Sequence, residues 1–184
     1  MSLAQKYRKS REQHRFIRLK TRHPDGDNYD GVVTDIKRRF IVLREARDFE
    51  FDGLIVLPKK IIKGYRDGPF EACYNEILRK NRRLGDAKSP HWLASCNTIS
   101  DVIGQLHRRD IWPAVVILTG DGCDWEFFIG PILRATNKGF NILPYDANGT
   151  WKPEHEIEYD EILRLEFDSR YVNAFNAFMR AKGR

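Results

Sequence analysis

The segment HEIEYDE combines residue types that hold metal ions in proteins. Its candidate ligands are His155, Glu156, Glu158 and Asp160. The acidic residues alternate with Ile157 and Tyr159, and such alternation is typical of a strand with one solvated face. We therefore interpret the segment as a solvated strand face and predict no metal site.

The cysteines do not indicate catalysis or a disulfide framework. Cys73, Cys96 and Cys123 are odd in number, widely separated and without CxxC spacing. Cys123 lies in DGCD, which has no histidine near it in sequence to activate a thiol. The patterns GxxxxGK[ST], GxGxxG and HExxH do not occur. We predict a non-enzymatic protein with no catalytic residue and no cofactor.

The segment KRRF indicates a different chemistry. Lys37, Arg38 and Arg39 in a tight turn could contact phosphate while a base stacks on Phe40. The alternative is a solvated turn with Phe40 in the core. Since Phe140 recurs in a similar segment, the core position is the favoured interpretation for both rings.

Positive charge is concentrated at the start of the chain. Residues 1–22 carry eight Lys or Arg and one Glu, whereas residues 121–169 carry four basic and eleven acidic residues. A polyanion would be attracted to the first region and repelled by the second. Lys6, Arg8, Lys9 and Arg11 could add affinity by releasing counterions, or their segment could be a solubilising terminus.

The positions of these side chains depend on the elements around them. Apolar alternation predicts five short strands within 15–66, whose small sheet must curl to bury its apolar face. A hairpin turn is expected at Asp52–Gly53. Helical spacing predicts helices over 69–84 and 98–110, and residues 3–14 form a short helix or a basic arm.

The strand pattern recurs later in the chain. The aligned positions are Gly31 with Gly130, Phe40 with Phe140, Val42–Leu43 with Ile142–Leu143, and the Asp52–Gly53 turn with Asn148–Gly149. A helical segment follows each of these two similar stretches, which we call the first and second pass. We interpret the pattern as a duplicated unit of strands followed by a helix, and chance similarity of two β-rich segments is the alternative.

The first pass resembles the Sm-like family, which includes the bacterial Sm-like RNA chaperones. The resemblance covers 15–66 and, more loosely, 114–167. The features that carry it are, in chain order, a helix or arm and five bent strands. The second strand contains a glycine, the third contains the apolar FIVL, and a hairpin glycine precedes the fourth. It implies an α+β, mainly β chain with two tandem Sm-like or SH3-like small bent β-barrels, each followed by an amphipathic helix.

The resemblance also implies a ligand and the residues that contact it. In the Sm-like family the loop between the second and third strands touches RNA. The corresponding residues here are Lys37, Arg38 and Arg39 in KRRFIVL and Asn137, Lys138 and Asn141 in NKGFNIL. Single-stranded RNA is therefore the expected partner. Sm-like rings close through strand edges, so a homo-oligomer is implied too, and a protein-binding scaffold without a nucleic-acid role is the alternative function.

Three segments are expected. Residues 1–84 would hold the basic arm, the first barrel and its helix, residues 85–112 a helical connector, and residues 113–184 the second barrel and the C-terminal helix.

The longest apolar runs are far shorter than a membrane span, and the N-terminus carries charges where a secretory leader would be apolar. We expect no membrane partner and a cytoplasmic location.

Overall fold

The protein is described by a computed structural model that covers residues 2–22, 28–81, 83–119 and 124–183. These residues form an α+β structure with eleven strands and five α-helices. The chain divides into two compact units, Met1–Ala94 and Ser95–Arg184, which we call the N-terminal unit and the C-terminal unit.

The N-terminal unit is an antiparallel arrangement of five strands. Its elements are α1 (Leu3–Glu12), β1 (Phe16–Thr21), β2 (Asn28–Ile36), β3 (Phe40–Arg47), β4 (Glu50–Pro58), a 3₁₀ turn (Lys59–Ile61), β5 (Ile62–Arg66), α2 (Pro69–Lys80), a second 3₁₀ turn (Leu84–Asp86) and α3 (His91–Ala94). The strands pair in the order β5-β1-β2-β3-β4. Bulges interrupt three of these pairings and bend the strands.

The C-terminal unit contains six strands. Its elements are α4 (Ile99–Arg108), β6 (Ala114–Thr119), β7 (Asp124–Ile129), β8 (Ile132–Ala135), β9 (Gly139–Ile142), β10 (His155–Glu158), β11 (Ile162–Phe167) and α5 (Arg170–Lys182). Strand β6 pairs with β11 and β7, and strand β9 pairs with β8 and β10, all antiparallel.

The sheets in the described part of the chain are not closed barrels, which corrects the expectation of two barrels. No pairing joins β4 to β5 or β10 to β11 among these residues. In the N-terminal unit the 3₁₀ turn Lys59–Ile61 separates β4 from β5, and β5 then pairs along β1. The outer strands therefore stay at opposite ends of each unit's strand order.

The two units nevertheless share one wiring. Strands β7 and β8 together take the place of β2, because β7 pairs with the first strand of its unit and β8 with the next strand. The bulges also recur. Thr34 of β2 and Leu133 of β8 are skipped by the partner strand, and so are Lys63 and Leu163.

In each unit, one glycine lies where a neighbouring strand comes too close to leave room for a side chain. A Cβ atom on Gly31 would lie 2.1 Å from the carbonyl oxygen of Arg44, and one on Gly130 would lie 2.1 Å from that of Leu143. No side chain fits at such a distance. Gly31 and Gly130 thus occupy equivalent positions, as the alignment of the sequence had them.

Strands β3 and β9 are equivalent, but their residues match each other with a shift of one position relative to the sequence alignment. The turn before β3 closes with a hydrogen bond from Lys37 N to Phe40 O (2.9 Å), and the turn before β9 closes with one from Thr136 N to Gly139 O (2.8 Å). Phe40 therefore matches Gly139 and Leu43 matches Ile142, so the alignments of Phe40 with Phe140 and of Val42–Leu43 with Ile142–Leu143 were wrong by one residue. The sequence alignment paired the two phenylalanines because their side chains are alike. Register is set by the backbone hydrogen bonds, and these pair different residues.

The hairpin between β3 and β4 turns earlier than the sequence suggested. It turns at Asp48–Phe49, with φ of 49° and 62°, whereas Asp52–Gly53 lies inside β4. Two successive left-handed residues match the twist of the strands in a two-residue hairpin. The unusual conformation of Phe49 is stabilised by Tyr74, whose hydroxyl accepts a hydrogen bond from Phe49 N (2.7 Å). The turn expected at Asn148–Gly149 is present, with Gly149 at a φ of 71°.

The helices before the sheets are also built alike. Ser2 caps α1 and Thr98 caps α4, each in a capping box with the residue three positions later. Each helix is followed by a residue with left-handed φ, His14 at 48° and Asp110 at 52°. Helix α4 is thus the counterpart of α1.

The helices after the sheets are anchored by equivalent asparagines. Asn75 of α2 binds the backbone of Phe16, with its Oδ1 accepting from Phe16 N (2.8 Å) and its Nδ2 donating to Phe16 O (3.2 Å). Asn176 of α5 donates to Trp112 O (2.8 Å) and accepts a hydrogen bond from the hydroxyl of Tyr145 (2.7 Å). Both asparagines are buried, and their hydrogen bonds tie the helix to Phe16 at the start of β1 and to Trp112, which lies just before β6.

Candidate nucleic-acid interface

The cations of KRRF lie in the turn between β2 and β3. The side chains of Arg38 and Arg39 are exposed, and they form no hydrogen bond or ion pair within the described ranges. Phe40 is fully buried. The structure therefore agrees with the core interpretation of Phe40, and base stacking on this ring is excluded.

Lys37 has a structural role in the same turn. Its Nζ donates to the carbonyl oxygen of Ala94 (2.7 Å) and lies 3.5 Å from Asp35 Oδ1. Only 12% of its side chain is exposed. Because these contacts hold the ammonium group, Lys37 is less available to a ligand than Arg38 and Arg39 are.

Two lysines that the sequence analysis did not include lie beside this turn. Lys59 N donates to Arg39 O (2.8 Å), and Lys59 Nζ donates to Lys37 O. Burial lowers the pKa of the Lys59 ammonium group below its ordinary value. Lys60 is exposed. We call the four cations Arg38, Arg39, Lys59 and Lys60 the basic turn surface.

The matching turn of the C-terminal unit has the same construction and different charge. Asn137 and Lys138 occupy the exposed positions. Tyr159 replaces Lys59: its N–H donates to Lys138 O (3.2 Å) and its hydroxyl donates to Thr136 O (2.8 Å). Asp160 then stands where the other unit has Lys60. The charged side chains here are thus one lysine and a carboxylate.

Asn141 lies away from that exposed turn. It is buried in β9, with 6% of its surface exposed, and its Oδ1 accepts a hydrogen bond from Arg134 Nη2 (3.2 Å). The side chain is therefore occupied inside the sheet and does not reach the surface that Asn137 and Lys138 form.

The four cations Lys6, Arg8, Lys9 and Arg11 of the N-terminal segment lie on α1. Arg8 and Arg11 are exposed and Lys9 is half-buried, and Arg11 lies 4.0 Å from Glu12. The helix is attached to β2 through Ser10, whose Oγ accepts a hydrogen bond from Val33 N (3.1 Å). In the part of the chain that the structure describes, no hydrogen bond or ion pair joins these cations to the basic turn surface.

The other segments with candidate chemistry have ordinary environments. The ring of His155 stacks on Phe128 with 4.3 Å between centroids, and Glu156 and Glu158 are exposed on either side of the buried Ile157. No cluster of three or more metal-ligating side chains occurs among the described residues. Cys123 lies outside them.

Comparison with protein-family models, with curated proteins and with solved structures found no match. Among the described helices, none is both long and apolar enough to cross a membrane.

Proposed function

We propose that this protein is a non-enzymatic cytoplasmic RNA-binding module and that its N-terminal unit holds single-stranded RNA through the basic turn surface. One observation carries the proposal. Two turns with the same backbone hydrogen bonds differ in charge, since the first presents four cations and the second presents one lysine and a carboxylate. The fold therefore does not require the cations. Their charge suits a polyanion such as the RNA backbone.

The arginines are suited to phosphate in a second way. Arg38 and Arg39 are adjacent, exposed and without a carboxylate partner in the described residues. A guanidinium group can donate two parallel hydrogen bonds to one phosphate, which a lysine cannot do. The exposed cations Arg8 and Arg11 of α1 would add charge attraction that does not depend on RNA sequence.

We further propose that both units are divergent members of the Sm-like group and descend from one duplicated unit. What supports this relationship is the order of elements in the N-terminal unit: a helix, five antiparallel strands, Gly31 in the second strand and an apolar third strand. The shared wiring, bulges and glycine approach of the two units support the duplication.

The test is the affinity for a short single-stranded RNA across a salt series, measured by fluorescence anisotropy. For wild type we expect a steep loss of affinity with salt. The variant Arg38→Ala/Arg39→Ala should bind more weakly at low salt. Its slope of log affinity against log salt should be smaller by about 0.7 for each phosphate contact that is lost.

The chain offers a control that removes the same charge elsewhere. Arg79 and Lys80 are exposed in the last turn of α2. Arg79→Ala/Lys80→Ala should leave the slope close to that of wild type. Equal slopes for all three proteins would contradict a role for the turn. Absence of RNA binding at low salt would reject the proposal and favour the scaffold function, which sedimentation of the full chain would then examine.

A further inference from the structure

The N-terminal unit has a small charged cleft between α1 and β5. The cleft has a volume of about 50 Å³. It is lined by three cations, Lys6, Lys9 and Arg15, and by Ser10, Ile17, Tyr65 and Asp67. We call it the α1 cleft. A buried water needs about 10–15 Å³, so the cleft has room for a few waters and hence for one tetrahedral oxyanion.

The charges in the α1 cleft are not balanced. Arg15 Nη2 pairs with Asp67 Oδ1 at 2.8 Å, which leaves two lysines without a carboxylate in the cleft. The Nζ of Lys6 lies 3.6 Å from the centroid of the Tyr65 ring. The side chain of Lys9 forms no hydrogen bond or ion pair with any described residue. An anion that enters here would meet an excess of positive charge and several N–H donors.

The C-terminal unit shows that the fold does not need these charges. The residues at the equivalent positions are Val102, Gln105, Ile111, Leu165 and Phe167. Val102, Leu165 and Phe167 are buried, with at most 1% of their surface exposed. The equivalent helix therefore packs on the equivalent strands with four apolar residues and Gln105 in one unit, and with three cations, Tyr65 and Asp67 in the other. Packing alone explains the apolar version and does not explain the charged one.

We propose that the α1 cleft binds a phosphate group. Lys6 and Lys9 would neutralise it, Arg15 would donate a further hydrogen bond while it keeps its pairing with Asp67, and the Tyr65 ring would form one wall. The phosphate could be inorganic, or it could belong to an RNA strand. The cleft is separate from the basic turn surface, and this inference does not depend on the proposed function.

The experiment compares phosphate binding by the full chain with binding by a variant that carries the residues of the other unit. Lys6→Val/Lys9→Gln introduces the side chains found at 102 and 105. Inorganic phosphate is titrated by calorimetry and by ³¹P line broadening at constant ionic strength in chloride. We expect binding by wild type and an affinity lower by about tenfold or more in the variant, because each charge-assisted hydrogen bond contributes about that factor.

Two further proteins keep the result interpretable. Arg79→Ala/Lys80→Ala removes the same charge outside the cleft and should bind phosphate like wild type. Lys9→Met removes one charge at a half-buried position and guards against misfolding of the double variant. No phosphate signal in wild type, or equal affinity in wild type and both cleft variants, would overturn the proposal.

RNA probes identify the source of the phosphate. Tighter binding of a 5′-phosphorylated strand than of its 5′-hydroxyl form, lost in Lys6→Val/Lys9→Gln, supports a terminal phosphate. Equal binding of the two strands, weakened equally by that variant, supports a backbone phosphodiester. If only inorganic phosphate responds to the variant, the cleft binds the free ion. The part of the phosphate signal that Lys6→Val/Lys9→Gln removes should persist in Arg38→Ala/Arg39→Ala, so failure of the turn proposal and failure of this one can be told apart.

Discussion

Two turns share the same backbone hydrogen bonds and differ in charge. One precedes β3 in the N-terminal unit, and the other precedes β9 in the C-terminal unit. The carbonyl oxygen of Lys37 accepts from the ammonium group of Lys59, and the equivalent oxygen of Thr136 accepts from the hydroxyl of Tyr159. Either side chain completes the turn. The bond is therefore part of the fold, whereas the added positive charge belongs to the N-terminal unit alone.

The same reasoning separates shared architecture from specific function elsewhere. Features present in both units are the capping boxes, the glycine approaches, the bulges and the anchoring asparagines. Features present in one unit are the basic turn surface and the α1 cleft. Substitutions in the first group should reduce stability by similar amounts in both units. Substitutions of Arg38, Arg39, Lys6 or Lys9 in the second group should change binding with little effect on folding.

The largest expected effect is at the two equivalent glycines. Gly31→Ala and Gly130→Ala each place a methyl group 2.1 Å from a carbonyl oxygen of the neighbouring strand, so the strands must separate. We expect each substitution to lower the free energy of unfolding by about 3 kcal/mol or more. Urea denaturation gives the size of the change, and hydrogen exchange shows which unit has lost protection.

Gly64→Ala is the matched control for these glycines. Its Cβ would meet only Lys20 Cβ, at 4.0 Å, which is ordinary contact. Its effect should stay within about 1 kcal/mol in either direction. If Gly31→Ala or Gly130→Ala is as stable as this control, the close approach is wrong for that unit, and so is the equivalence of the two units at this position.

The next largest effect concerns the anchoring asparagines. Asn75→Ala removes the hydrogen bonds to Phe16 N and O in the core, and Asn176→Ala removes those to Trp112 O and to the hydroxyl of Tyr145. A buried group that loses its hydrogen bond costs about 1–3 kcal/mol. We expect losses of about 2 kcal/mol for each variant in urea denaturation. Asn173→Ala, at an exposed position of α5, should lose less than about 0.5 kcal/mol. A large loss in only one unit would show that the two helices are held differently.

Much of this architecture could be predicted from the sequence because it depends on local patterns. The strands around Ile17 and Val42, the helix face around Leu78 and the second pass from Gly130 all follow from short-range spacing and turn residues. The hairpin position did not follow. Asp52–Gly53 is the stronger turn signal, and the contact of Tyr74 with Phe49 that supports the observed turn spans 25 residues of sequence.

The candidate site shows the same limit. The exposure of Arg38 and Arg39 could be predicted from a charged turn between apolar strands. Lys59 could not be placed beside them, because its position depends on the pairing of β3 with β4. Nor could the burial of Asn141, since an asparagine in a strand has no local signal for the arginine that binds it.

The smallest expected effect tests an interior difference between α1 and α4. Tyr7 of α1 stands where α4 has Ile103, and both side chains are buried. Burial raises the pKa of the Tyr7 phenol to about 12, whereas an unfolded tyrosine titrates near 10. Between these values the folded protein binds more protons than the unfolded chain. The free energy of unfolding should therefore decrease as pH rises from about 10 to 12, by at most about 1.4 kcal/mol per pH unit from this group.

Tyr7→Ile, which introduces the residue of the other unit, should make that alkaline decrease shallower, and Tyr7→Phe should do the same while it keeps the ring. Burial also raises the pKa values of Tyr74 and Tyr145, but both residues are present in every variant, so differences between curves isolate Tyr7. Tyr171→Phe, at a position that is 53% exposed, is the control. Urea denaturation at several pH values from 9 to 12 measures the curves. If the Tyr7→Ile curve is parallel to that of wild type, the phenol is not shielded by α1 packing, and the two helices differ in burial as well as in sequence.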